Sequence, residues 1–274
     1  MQSAIATAIG LASEPVALLL TDEKPEGALQ FDEGKWGCVV SMFGAAATKG
    51  KIAVFDSRSY GCFGGGVALG FGNTYRQFPG SMQGFCNFLS SGNEGWEPGE
   101  AIAAGMEAGG ARKEFVQHFL HGERYKQSPE LVRQFVEELP MTEVASRYVA
   151  FVPFNRLEPG QGEPASVTML VTSDQLAALV VLANYDRPGL ENVAIPYVAG
   201  CQSIGILSYR EAQREQPRCI AGLMDLSARA YLRSQTGRDV LTFTMPYRRF
   251  LEMEACVAGS FLEQHPWLTL KGEA

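Results

Sequence analysis

The stretch ASVTMLVTSDQLAALVVLANY, residues 165–185, changes its period half-way. Apolar and β-branched residues at 167–171 predict a strand. Ser173-Asp174-Gln175 then supplies a capping hydroxyl and an early acid, and the apolar run beyond it predicts a helix to about Tyr185. The same succession recurs near the end of the chain. Residues 240–245 predict a strand, and Pro246 opens a helix through about Gln264, with Phe250, Met253, Val257 and Phe261 on one face. Residues 148–152 read as a further strand. Ser128-Pro129-Glu130-Leu131 starts the clearest helix, whose stripe is Leu131, Val132, Phe135, Val136 and Leu139 and whose stop is Pro140. These elements predict an α+β fold with mixed strands and several helices, in a single globular domain over residues 1–274.

The chain has 274 residues, of which 46% are apolar and 19% charged, enough for a large core and too apolar for disorder. Its net charge of −7 and the lack of basic runs exclude an electrostatic nucleic-acid surface and give no reason to expect an anionic membrane as partner. The first basic residue is Lys24, so the opening residues lack the charged start of a secretory signal. Residues 176–183 form one of the longest apolar runs, far short of the roughly 18 residues a membrane span needs. A cytoplasmic protein is expected, with its six cysteines as thiols, since none form a CxxC pair and a core of this size needs no covalent staples. With 10% aromatic residues and little charge, self-association into a homo-oligomer is compatible with the composition.

Glycine is concentrated: 18 of the 30 lie between Gly34 and Gly110. Residues 38–43 and 51–56 within that span read as strands. Residues 61–99 show no sustained period and predict an irregular, glycine-rich segment. Three dipeptides share one local setting, Gly37-Cys38, Gly61-Cys62 and Gly200-Cys201, in which a glycine lets backbone come close to a thiol. Cys62 opens Cys62-Phe63-Gly64-Gly65-Gly66, whose amides could form an anion nest or donate to metal-bound sulfur. Asn73 and Arg76 follow and could hold a carboxylate or phosphate. Cys86, Cys219 and Cys256 read as core residues. His118 and His121 lack a third ligand and the HExxH pattern, and Asp225 resembles a helix N-cap.

Pro15-Val16-Ala17, Cys38, Cys62-Phe63-Gly64-Gly65 with Leu69-Gly70, and Cys201 together resemble the uncharacterised ArCR family of bacterial and archaeal proteins, over most of the chain. The resemblance implies that Cys38, Cys62 and Cys201 hold family-pattern positions and that the protein is prokaryotic and cytosolic. It implies no activity. Gly200-Cys201-Gln202-Ser203-Ile204 departs from the Cys-x-Gly-x-Arg form associated with other members.

Two functions follow as expectations. In the first, Cys38, Cys62 and Cys201 bind an iron–sulfur cluster or another soft metal, with Gly64, Gly65 and Gly66 donating to the sulfurs. In the second, a metal-free pocket of Gly64, Gly65, Gly66, Asn73 and Arg76 binds a small anionic molecule, and the cysteines serve packing. Thiol catalysis by Cys62 or Cys201 ranks below both, because the sequence indicates no base beside either cysteine.

Overall fold

Seven strands, most of them buried along their whole length, build one sheet in the computed structural model, which describes residues 2–158 and 160–273. The strands are β1 (Val16–Thr21), β2 (Ala53–Phe55), β3 (Tyr148–Pro153), β4 (Ser166–Val171), β5 (Val193–Ala194), β6 (Cys219–Gly222) and β7 (Leu241–Pro246). Their order is β2-β3-β1-β4-β7-β6-β5. Every neighbouring pair is antiparallel except β5 and β6, which run parallel. The fold is α+β with a mixed sheet.

Both faces of the sheet are covered, which is why its central strands read as continuous apolar runs. Ala17 and Leu19 of β1 point into one core with Ala150, Val167, Met169, Leu179, Phe243 and Phe250. Val16 and Leu18 point the opposite way, into a second core with Val39, Phe43, Phe55, Phe151, Leu69 and Cys201. Phe43 and Phe55 each meet Phe151 edge-on, at ring-centroid distances of 5.8 and 5.3 Å. This geometry adds about 1 kcal/mol per pair to the burial itself.

The 165–185 reading is realised as β4 followed by the Ser173–Tyr185 helix, capped by Thr172 and Gln175 in a reciprocal capping box. Three other expectations need correction. Residues 38–43 are no strand: Cys38 caps the Val39–Lys49 helix, whose Val39, Val40, Phe43, Ala46 and Ala47 are buried on one stripe. Tertiary packing there overrides the β-branched start. The helix after Pro246 spans Tyr247–Ala255, and a separate single turn covers Phe261–Glu263. Residues 61–99 are mostly helical, in Phe63–Leu69, Thr74–Gln77, Ser81–Leu89 and the start of Glu97–Ala108. Their glycines serve close packing: a Cβ on Gly84 would collide with the Pro79 carbonyl, and one on Gly65 would lie 2.5 Å from Val39 Cγ2.

The chain divides into two compact units, residues 1–72 with 142–274, and residues 73–141. The sheet belongs to the first. The second is helical, with Val116 and Phe119 packed among Phe78, Ile102 and Leu120. Buried Asn93 ties its turns together by donating to the carbonyls of Gly84 and Phe119 at 3.3 and 3.0 Å. Gly72 and Thr142, which flank the second unit in the chain, are joined by a 3.1 Å backbone hydrogen bond.

Candidate functional site: three glycine–cysteine helix starts

Each Gly–Cys dipeptide lies at the start of a helix in the first unit. Cys38 is the N-cap of Val39–Lys49, Cys62 the N-cap of Phe63–Leu69, and Cys201 lies in the first turn of Gly200–Ile204. The glycines explain how these starts meet. Gly61 has φ +80, and a Cβ there would strike the Gly37 carbonyl oxygen and the Phe31 ring. A Cβ on Gly37 would enter the same ring. A Cβ on Gly200 would stand 2.9 Å from Ala228 Cβ and 3.3 Å from Val40 Cγ2. At Gly37 and Gly61 backbone therefore packs on backbone beside Cys38 and Cys62, while Gly200 packs on the side chains of Ala228 and Val40. Cys201 Sγ lies 3.6 Å from the Gly64 carbonyl oxygen, to which it donates.

Cys38 and Cys62 are half-buried and Cys201 is buried. Burial pushes all three thiols up, Cys62 to about 12 and Cys201 well above its ordinary value. Negative charge on Cys38 raises Cys62 further, and charge on Cys62 and Cys38 raises Cys201, so the three lie within reach of one another's fields. The protein on its own holds neutral thiols here.

The glycine-rich loop needs correction, because Gly64, Gly65 and Gly66 are helical. The Gly65 amide donates to Cys62 Sγ at 3.3 Å and the Gly66 amide to the Cys62 carbonyl at 3.0 Å. One amide thus points at sulfur, and another is spent on the helix. Asn73 and Arg76 belong to the second unit, where Asn73 precedes the Thr74–Gln77 turn without a side-chain capping bond and Arg76 is exposed. Cys86 is buried in that unit; Cys219 is buried in β6. His118 and His121 end the Lys113–His121 helix, with His118 3.7 Å from Glu123.

Asp225 has a larger part than the sequence indicated. Its Oδ1 caps its own helix, Leu226–Thr236, by accepting from Ser227 and Ala228 at 2.9 and 3.3 Å. Its Oδ2 accepts the Gly200 amide at 3.3 Å, which fixes the start of the Cys201 helix. Its charge raises Cys38, Cys62 and Cys201 alike. The parallel pair positions this carboxylate: β5 leads on to Cys201, while β6 leads on to Asp225. Between β6 and Asp225 lies Leu223 at φ +68, one of three non-glycine residues with positive φ among those described.

Across residues 4–255 the sequence matches the family described as Uncharacterised ArCR. The chain belongs to that family. Neither the curated proteins nor the solved structures compared with it gave a match. In this ArCR protein, no three His, Cys, Asp or Glu side chains among the described residues form a group that could hold a metal ion as they stand. Nor is any helix among those residues long and apolar enough to cross a membrane.

Proposed function

We propose that Cys38, Cys62 and Cys201 bind a thiophilic metal centre, a single soft ion or an iron–sulfur cluster. The observation that supports this reading is that Gly61 meets Gly37 and that Cys201 reaches the Gly64 carbonyl, so helix starts far apart in the chain are neighbours. Sulfur donors select soft metals, and three protein ligands leave room for an exogenous fourth. Cys38, Cys62 and Cys201 would hold the metal as thiolates, so uptake would release their protons to solvent and would require the side chains to turn toward one another, since they are not grouped as they stand. The Gly65 amide is oriented to donate to the Cys62 sulfur in the bound state.

The Asp225 carboxylate raises all three thiols, so it opposes negative charge at this place, and a metal would have to offset that cost on deprotonating the sulfurs. The small-anion reading has less support: the Gly65 and Gly66 amides already have partners, and Asp225 would oppose an anion beside the sulfurs. The test is anaerobic purification followed by elemental analysis and an absorption spectrum. Stoichiometric iron with visible charge-transfer bands identifies a cluster, and stoichiometric zinc without colour identifies a single ion. Protein that is metal-free and cannot be reconstituted under reducing conditions overturns the proposal.

A further inference from the structure

Away from the sulfurs, the Leu226–Thr236 helix and the turn that follows it line a half-open groove of about 240 Å³. Its floor includes Leu223, Leu232 and Val240, and Leu226 at its wall is 64% exposed. Arg229, Arg233 and Arg238 line it as well. Arg229 is spent on the fold: it donates to the carbonyls of Leu223, Arg238 and Val240 at 3.4, 3.0 and 2.9 Å and so holds the turn against the helix. Among the described residues, no carboxylate is paired with Arg233 or Arg238. Elsewhere in the first unit, Arg187, Arg210, Arg214, Arg218, Arg248 and Arg249 face acids, while Arg156 donates to the Gly50 carbonyl and Arg147 lies over the Tyr148 ring.

We infer that this groove is a binding site for a small monocarboxylate with an apolar body, its carboxylate held by Arg233 and Arg238 and its body against Leu223, Leu232 and Val240. Four features point the same way. The floor is apolar, which rewards a hydrophobic body. The two guanidiniums are free for charge-assisted hydrogen bonds to an anion. The cavity lies below the roughly 300 Å³ at which drug-sized pockets begin, which limits the ligand to a small one. Leu223 is buried in the floor with φ +68, and backbone strain of this kind collects at ligand sites. The position of Arg233 at the carboxyl end of its helix also suits the helix dipole, which accounts for one cation there but not for a second guanidinium on an apolar cavity.

The experiment uses benzoate as probe and benzamide as its neutral counterpart, titrated into the full-length protein and followed by methyl NMR at Leu223, Leu226 and Val240. Benzoate should shift these methyls saturably and bind about tenfold or more tighter than benzamide. The double variant Arg233→Gln with Arg238→Gln should lose that preference while keeping the wild-type circular dichroism spectrum, since both side chains are exposed. Arg233→Lys with Arg238→Lys should keep part of it. Equal affinity for the two probes, no saturable shift at these methyls, or an undiminished preference in the Gln variant would overturn the inference.

Discussion

Gly61 faces the carbonyl oxygen of Gly37 so closely that a Cβ on Gly61 could not be accommodated. This contact joins two segments of chain whose next residues are Cys38 and Cys62, and it makes a quantitative prediction. Gly61→Ala combines a positive φ with a backbone collision and should cost about 3 kcal/mol or more in a urea titration. Gly34→Ala has a comparable φ of +69 but nothing within 4 Å, so it should cost only about 1 kcal/mol. Equal losses at the two positions would show that the Gly37–Gly61 contact does not constrain the fold.

Asp225 can be divided into its two roles. Asparagine caps helices as well as aspartate does but has one acceptor oxygen where aspartate uses two, so Asp225→Asn should lose about 1 kcal/mol for the Gly200 amide alone, and Asp225→Ala about 2 kcal/mol for both roles. The Asn variant keeps the Oδ1 cap, turns a donor toward the Gly200 amide in place of Oδ2, and removes the charge felt by all three thiols. The rate of alkylation of the metal-free thiols should then rise at lower pH than in the wild type. An unchanged alkylation profile would mean that the carboxylate acts only as a cap.

The buried Arg249 is held by Asp186 through both nitrogens and by Glu252 at 2.8 Å. The hydrogen bonds from Arg249 hold Asp186 below its ordinary value near 3.8. A carboxylate with a depressed native pKa contributes stability that is present above its unfolded pKa and is lost as pH falls through the native one. Stability should therefore fall steeply below about pH 4, and Arg249→Met should flatten this acid limb while lowering stability at neutral pH. Urea midpoints from pH 6 to pH 2 measure both effects. An acid limb of the same slope in the variant would contradict the assignment.

The candidate thiol site lies wholly in the first unit, and the backbone bond between Gly72 and Thr142 closes the gap left by the second. Replacing residues 73–141 by a short Gly/Ser link should leave a folded chain that takes up cadmium with wild-type stoichiometry. A folded excision product unable to bind cadmium would show that the second unit supplies part of the site.

The sequence displayed the fold where local and tertiary preferences agree. Residues 165–185 carry a β-branched strand, a capping box and an apolar helix, and the structure has the same order. At Cys38-Val39-Val40 the local preference is extended, and only the burial of Phe43, Ala46 and Ala47 on one stripe makes the segment helical. The glycines of 63–69 and 81–89 suggested irregular chain because their use depends on Val39 and the Pro79 carbonyl, neither of which a local window weighs against them. For the site, the recurring Gly–Cys dipeptide was the legible signal. The second function of Asp225 had none, because a capping aspartate and one that also reaches a neighbouring helix look alike in sequence.

The central claim is tested most directly by adding cobalt(II) anaerobically to reduced, metal-free protein and to the Cys38→Ser, Cys62→Ser and Cys201→Ser variants, and recording thiolate-to-metal charge-transfer absorption. The predicted result is a stoichiometric band in the wild type that is lost or sharply weakened in each of the three variants, with Cys256→Ser unaffected. No band in the wild type, or an undiminished band in all three variants, would contradict the account.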